Sequence, residues 1–213
     1  DFRATESPIT FDDFRCGEHY DARREREGIL SSLSLDGFEK ITVAPPPRGA
    51  ILDNTAQPVT VHGERRAVSV TKTERGYLYD FGVNDTGIWR LTLDGRAGQT
   101  VDLYFGEVLD GDRLDLRNIS FEASREGYVQ HDRYICREGH QTHRPSFTWH
   151  GFRYCEVIGL GEGQGTEETL VMLPTHSDLP QVCRFSCDHE TVGRIAAMTR
   201  QSDLSNFVFY PYD

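Results

Sequence analysis

The chain has 213 residues, of which 37% are hydrophobic and 11% aromatic, so it can bury a core and form one large or two small domains. Its net charge of -11 argues against a nucleic-acid partner, because proteins that bind a phosphate backbone usually present a basic surface. No apolar run approaches the ~20 residues that span a bilayer, and the amino terminus carries no signal-peptide pattern. We therefore expect neither a nucleic-acid nor a membrane partner.

The amino-terminal region, residues 1–60, mixes short apolar runs with charged stretches such as residues 23–27. It also contains the run Pro45-Pro46-Pro47. Proline has no amide hydrogen to donate and its ring restricts the backbone, so such a run cannot lie in a helix or a central strand. The run predicts an extended connector.

Residues 60–175 have the pattern of an all-β region. Short strand-like runs are separated by the turn dipeptides Asp94-Gly95, Asp110-Gly111 and Glu138-Gly139, with no helical periodicity between them. This spacing predicts an antiparallel β-sandwich or jelly roll, and residues 159–168 predict a glycine-rich loop. The predicted strands cover residues 68–72, 88–93, 101–105, 128–135 and 152–158.

Residues 147–157 concentrate aromatic side chains around Gly151, which permits a backbone turn. The segment fits either a sugar-stacking surface or a strand that anchors the core. Its residue His150 is better explained as a hydrogen-bonded packing residue than as a catalytic base. The half-buried strand is indicated by the alternation of Phe152, Tyr154 and Glu156 with Arg153, Cys155 and Val157.

The carboxyl-terminal region has helical periodicity. Asp188 is the predicted N-cap, and the residues after it that recur at helical spacing are Val192, Ile195, Ala196, Thr199 and Leu204. A single amphipathic helix after a sandwich has no obvious partner for its apolar face. We therefore expect it to be the first helix of a helical domain that lies beyond Asp213.

Three polar side chains between residues 79 and 87 are candidate ligands for a cation such as calcium or for sugar hydroxyls: Asp80, Asn84 and Asp85. The alternative is that Asn84 and Asp85 form side-chain-to-backbone turns at a strand end. A second acidic cluster, Asp110, Asp112 and Asp115, resembles a calcium loop but lacks the Glu of an EF-hand. A solvated hairpin turn is the simpler explanation for that cluster.

The chain has five cysteines, an odd number without a CxxC pair, which argues against a disulfide framework or a structural zinc site. This usage mildly favours a reducing compartment. Cys183 and Cys187 have the spacing of metal ligands, with His176 and His189 nearby, but burial as small hydrophobic residues is the alternative. His176-Ser177-Asp178 cannot form a catalytic triad, because adjacent side chains on one strand do not meet in relay geometry.

Taken in order, several segments resemble the bacterial α-L-rhamnosidases, a family of inverting glycoside hydrolases. The match extends over residues 17–213 and ends with Asn206 and then Pro211-Tyr212-Asp213. Before these come residues 17–23, 80–84 with Gly87 and Trp89, 106–109, 132–135, 147–157, 176–178 and 185–188.

The resemblance implies a multidomain enzyme in which concanavalin-like β-sandwich domains precede an (α/α)6 barrel that contains the active site. Residues 1–45 would be the tail of a preceding β domain and a connector, 46–180 the sandwich, and 181–213 the first helix and start of the barrel. Asp213 matches an acidic residue of the family that contacts the sugar. The general acid and base lie further along the family's sequence, so no catalytic residue is assigned here and we expect the chain alone to be inactive.

The leading hypothesis is therefore a non-catalytic sandwich that supports a barrel acting on a rhamnosylated glycan or glycoside. An independent carbohydrate-binding module, with or without calcium at Asp80, Asn84 and Asp85, is an alternative from another functional class. A purely structural interaction domain is a third. Apart from calcium, the sequence implies no cofactor.

Overall fold

The computed structural model describes residues 2–26, 36–119 and 129–211. Its first strands are β1 (Arg3–Ala4), β2 (Ile9–Asp13), β3 (Gly17–Asp21), β4 (Glu39–Lys40), β5 (Val59–Val61), β6 (Arg65–Arg66), β7 (Ser69–Lys72), β8 (Gly76–Gly95) and β9 (Thr100–Gly106). They are followed by β10 (Val108–Asp110), β11 (Arg113–Asp115), β12 (His131–Ile135), β13 (Gly139–His143), β14 (His150–Ile158), β15 (Leu170–Ser177), helix α1 (Glu190–Ser205), β16 (Phe207–Val208) and β17 (Tyr210–Pro211). Among the described residues no helix is both long and apolar enough to cross a membrane.

One sheet of 11 strands forms the body of the molecule. Eight of them follow the order β2-β3-β12-β9-β14-β8-β15-β5, and the other three lie beside this path, where β7 and β13 pair with β8 and β6 pairs with β15. The long strand β8 pairs with different strands along its length. Its first part pairs with β7 and β14, and its last part pairs with β13 and β15. The sheet therefore curls over itself and encloses a core, which confirms the predicted mainly β, antiparallel sandwich. The pairing of β3 with β12 is parallel.

The core is built from the inward face of each strand. On β8 the inward side chains all lie at odd-numbered positions, because side chains two positions apart in a strand point to the same face. A fully buried large apolar side chain contributes roughly 1.5–3 kcal/mol to folding. The buried side chains include Tyr79, Phe81, Trp89, Leu91 and Leu93 of β8, and Val101, Leu103 and Phe105 of β9.

Strand β14 changes its inward face part-way along. The pairing register leaves residues 81–84 of β8 opposite Arg153 alone. Gly82, at φ +77, permits this bulge because glycine tolerates positive φ. The unbroken alternation predicted for β14 is therefore wrong, because the strand turns its other face inward where its pairing with β8 shifts register at Arg153. The inward side chains are His150 and Phe152 before the bulge, and Cys155 and Val157 after it.

The amino-terminal strands extend the same sheet. β2 pairs with β3, and β3 pairs with β12. The division at residues 45 and 180 remains a prediction, but the sheet itself crosses the first boundary. Between β4 and β5, the run Pro45-Pro46-Pro47 lies exposed and outside regular elements, as expected of a connector.

Helix α1 leaves the sandwich and is attached to it near its carboxyl end. Its N-cap is His189 rather than Asp188, which lies one residue too early to cap a helix that begins at Glu190. The hydroxyl of Thr86 donates a hydrogen bond to the carbonyl of Ser205. After the helix, the amide of Phe209 donates to the hydroxyl oxygen of Ser177 at 2.8 Å.

Candidate functional site

Asp80, the first candidate ligand, is held by an arginine. Both carboxylate oxygens accept hydrogen bonds from Arg153, each at 2.9 Å, and Oδ1 also accepts the amide of Gly82 at 2.7 Å. The hydrogen bonds from Arg153 lower the pKa of Asp80 despite its partial burial. The carboxylate thus braces the bulge between β8 and β14.

Asn84 and Asp85 have different partners from Asp80. The amide of Asn84 donates to Oε1 of Glu107 at 3.1 Å. Buried Asp85 lies 3.1 Å from the Arg65 guanidinium and accepts the amide of Thr86 at 2.9 Å. In residues 2–26, 36–119 and 129–211, no three His, Cys, Asp or Glu side chains converge as metal ligands. A role in binding sugar or calcium stays a prediction.

The second acidic cluster lies on a hairpin. β10 and β11 pair around the turn at Gly111, and Asp110 and Asp115 both bind Arg117, at 2.9 Å. The structure thus agrees with the hairpin explanation. Of the cysteines, Cys136 and Cys155 are buried, whereas Cys183 and Cys187 are exposed.

A buried polar network, which sequence reasoning missed, joins the amino-terminal strands to the core. Fully buried Asp132 lies at its centre. Its Oδ2 accepts the indole N–H of Trp89 and lies 2.9 Å from Nε2 of His150. Its Oδ1 accepts the amide of Glu18 at 2.7 Å. The side chain of Glu18, also buried, lies 3.2 Å from Nε2 of His143.

The partners of Asp132 decide its charge. Burial alone would raise the pKa of this carboxyl, but the nearby His150 and the hydrogen bonds from Trp89 and Glu18 outweigh that effect and lower it. Asp132 is thus an ionised acceptor in the interior, where an unpaired charge would be very costly. The only sequence signal was that Asp132 lies two positions from Tyr134, and so on the same face of β12, with the polar residues His131 and Arg133 on the other face.

The aromatic segment 147–157 is mainly part of the core. Phe152 is fully buried, and its ring centroid lies 4.9 Å from that of Phe105. His150 stacks on Phe105 at 4.4 Å, which agrees with its interpretation as a hydrogen-bonded packing residue. Phe147 is 62% exposed and Trp149 is half-buried. The core-strand interpretation is therefore confirmed for residues 150–158.

An ion-pair cluster on the outer face of the sheet should make the stability of the fold depend on pH. Asp102 accepts a hydrogen bond from Nε of Arg133 at 2.7 Å and lies 2.7 Å from Nε2 of His131. Burial would raise the pKa of Asp102, but these two partners lower it from 3.8 to about 2. The folded state therefore binds fewer protons than the unfolded state in this range. Stability from Asp102 should be present above pH 3.8 and lost as pH falls toward 2.

We expect Asp102→Asn to flatten this part of the pH profile. The measurement is urea unfolding of the original chain and the variant between pH 2 and 6. Asp53→Asn, in the exposed connector, is the control and should leave the slope unchanged. Equal slopes for all three proteins would show that the Asp102 cluster contributes nothing to the pH dependence of stability.

Comparison with known proteins identifies the family. A family model described as the bacterial alpha-L-rhamnosidase concanavalin-like domain matches residues 70–174. Over its whole length the chain is 31% identical to an alpha-L-rhamnosidase of Streptomyces avermitilis. Residues 70–174 are thus a concanavalin-like domain of the bacterial α-L-rhamnosidase family.

Solved structures of α-L-rhamnosidases have the same fold. The Streptomyces avermitilis enzyme, determined in complex with L-rhamnose, matches 99% of this chain at a TM-score of 0.86 and 29% identity. The native Aspergillus terreus enzyme matches 99% at a TM-score of 0.88 and 26% identity. The chain covers 20% and 24% of these two structures. It therefore spans about a fifth to a quarter of the length of these two relatives, and its sandwich is concanavalin-like.

Among the predicted site residues, Asp213 lies outside the described residues. Its contact with sugar stays a prediction that rests on resemblance. Asp80, Asn84 and Asp85 are described, and each is hydrogen-bonded or ion-paired to a different side chain. That this chain carries no catalytic residue also stays a prediction.

Proposed function

We propose that this chain is the non-catalytic β-sandwich part of an α-L-rhamnosidase. In this proposal it supports an (α/α)6 barrel that hydrolyses terminal α-L-rhamnosyl bonds of a glycan or glycoside with inversion. The proposal is supported by family membership and by length. The Streptomyces avermitilis relative has 31% identity over the whole chain, yet the chain spans only 20% of that relative.

The observation that carries the proposal is the uncovered apolar face of α1. Val192, Ile195 and Met198 are 42%, 53% and 61% exposed, and no residue described within α1 is buried. Residues three apart lie on one side of a helix, so these side chains form a continuous stripe. Such a stripe usually faces another packed element. A helical domain on this face would bury it.

The attachment of α1 gives this stripe a defined position. The bonds from Thr86 to Ser205 and from Phe209 to Ser177 tie both the helix end and the following residues to the sandwich. Val208, between them, is buried. A domain packed on α1 would therefore be held in one orientation against the sandwich.

The test uses the 213-residue chain and the complete gene product. We expect the chain alone to show no turnover of p-nitrophenyl α-L-rhamnoside. An inverting enzyme needs two carboxyl groups about 6.5–9.5 Å apart, and the family resemblance places both of them beyond Asp213. The complete product should turn it over and release the inverted anomer, which NMR detects. In the complete product, Ile195→Glu should lower the melting temperature, since a charge would be buried at the interface.

Arg194→Glu is the matched control, because Arg194 is exposed and adjacent to Ile195 in the helix. Arg194→Glu should change the melting temperature little in either protein, and Ile195→Glu should change it little in the chain alone. Sustained turnover by the purified chain would overturn the non-catalytic role. Equal melting temperatures for the two variants of the complete product would overturn the docking of a domain on α1.

A further inference from the structure

A cleft of about 250 Å³ lies where α1 ends against the sandwich. One wall comes from the turn after β2, with Phe14 and Arg15. Another comes from the start of β14, with Trp149, and a third from Asn206 after α1. The support role proposed above does not require this cleft. Its volume is below the about 300–1,000 Å³ of pockets for drug-sized ligands, so it suits a single small ring.

The lining combines flat apolar surfaces with planar polar groups. Phe14 is 57% exposed and Trp149 is half-buried, so both can offer ring surface to a ligand. The side chains of Gln130 and Asn206 supply amide donors and acceptors beside these rings. Arg15 lies over the ring of Phe14, 5.2 Å from its centroid. Aromatic and amide groups together suit a neutral ligand with one apolar face and several hydroxyls.

An unpaired acceptor in the wall also indicates a polar ligand. Oε1 of Gln130 is buried and has no hydrogen-bond partner within the part of the chain that the structure describes. Leaving a buried acceptor unpaired costs about 1–3 kcal/mol, so such atoms usually have a partner. In the proposal that follows, Oε1 of Gln130 would turn into the cleft and accept a hydrogen bond from a ligand hydroxyl.

We propose that this cleft binds one pyranose ring of the rhamnosylated substrate. The proposal rests on the proposed function for the kind of sugar, and on the cleft for the place. L-rhamnose and a neighbouring sugar such as D-glucose share the chemistry that these groups recognise. The sandwich would then contribute to substrate binding as well as supporting the barrel.

The two tryptophans make the proposal measurable in the 213-residue chain. Trp149 lines the cleft, whereas Trp89 is buried and 1% exposed. We expect L-rhamnose or D-glucose to change tryptophan emission saturably in the millimolar range and to protect it from acrylamide. The sugar that binds more tightly identifies the ring. Trp149→Phe should abolish the change while the emission of Trp89 remains.

Calorimetric titration with the same two sugars separates the possible sites. Gln130→Ala and Asn206→Ala should each weaken binding threefold to tenfold, since one hydrogen bond contributes that much. Asn84→Ala should leave binding unchanged. If the folded chain, with unaltered circular dichroism, gave no heat and no saturable emission change, the proposal that the cleft binds a sugar would be overturned. Loss of binding in Asn84→Ala alone would also overturn it and would favour an independent module. The proposed function fails separately, through turnover by the chain itself.

Discussion

Asp132→Ala should lower the free energy of unfolding by about 3–5 kcal/mol, the usual cost of removing one partner of a buried ion pair. The substitution would leave the indole N–H of Trp89, the imidazole of His150 and the amide of Glu18 without their shared acceptor. Each is buried, so bulk water does not reach these groups. Urea unfolding at neutral pH followed by tryptophan emission measures the loss.

Two further substitutions separate charge from volume. Asp132→Asn keeps the side-chain volume and one acceptor oxygen, so it should cost less than Asp132→Ala. Asp94→Ala is the surface control, because the carboxylate of Asp94 is 83% exposed and lies 3.3 Å from Nδ1 of His140. It should leave the free energy of unfolding nearly unchanged. A similar small effect for Asp132→Ala and Asp94→Ala would mean that the network does not stabilise the fold.

Gly17→Ala should cost about 3 kcal/mol or more, because it combines backbone strain with a steric collision. Gly17 has φ +137, which side-chain-bearing residues rarely adopt. A Cβ there would lie 2.2 Å from the carbonyl oxygen of His131 and 2.3 Å from Oδ1 of Asp132. The added methyl group would push β3 away from β12 and break the bond from Glu18 to Asp132. Thermal unfolding and amide exchange of β12 measure both effects.

Gly163→Ala isolates the backbone contribution to this loss. Gly163 has φ +79, but a Cβ added there would meet no atom within 4 Å, so only conformational strain of about 1–2 kcal/mol is expected. The difference between the two variants reports the close approach of β3 to β12. If both variants lost the same stability, the parallel pairing of these strands would not depend on Gly17.

Most strands were predictable because their signal is local. The runs at residues 101–105 and 152–158 correspond to β9 and β14 with small changes at their ends. The run at 128–135 corresponds to β12, which begins at His131. Residue 128 itself lies outside the described residues. The turn predicted at Asp94-Gly95 is displaced, because β8 continues through Gly95 to pair with β13.

The candidate site was less predictable than the strands. Sequence spacing brought Asp80, Asn84 and Asp85 together as candidates, but it could not identify Arg153, Glu107 and Arg65 as their partners. Those arginines and that glutamate come from other strands or loops, between 20 and 73 residues away. The cleft at the end of α1 has walls from separate parts of the chain, so no local pattern indicates it.

Local patterns in the sequence were enough to predict the mainly β class, the connector, the terminal helix and the family resemblance, because alternation, proline runs and helical spacing are properties of neighbouring residues. The inward face of β14 could be known only from the folded chain, because its pairing with β8 shifts register at Arg153. The same is true of Asp132 as an interior acceptor. Its partners Trp89 and Glu18 lie 43 and 114 residues away in the chain, and only folding brings them together.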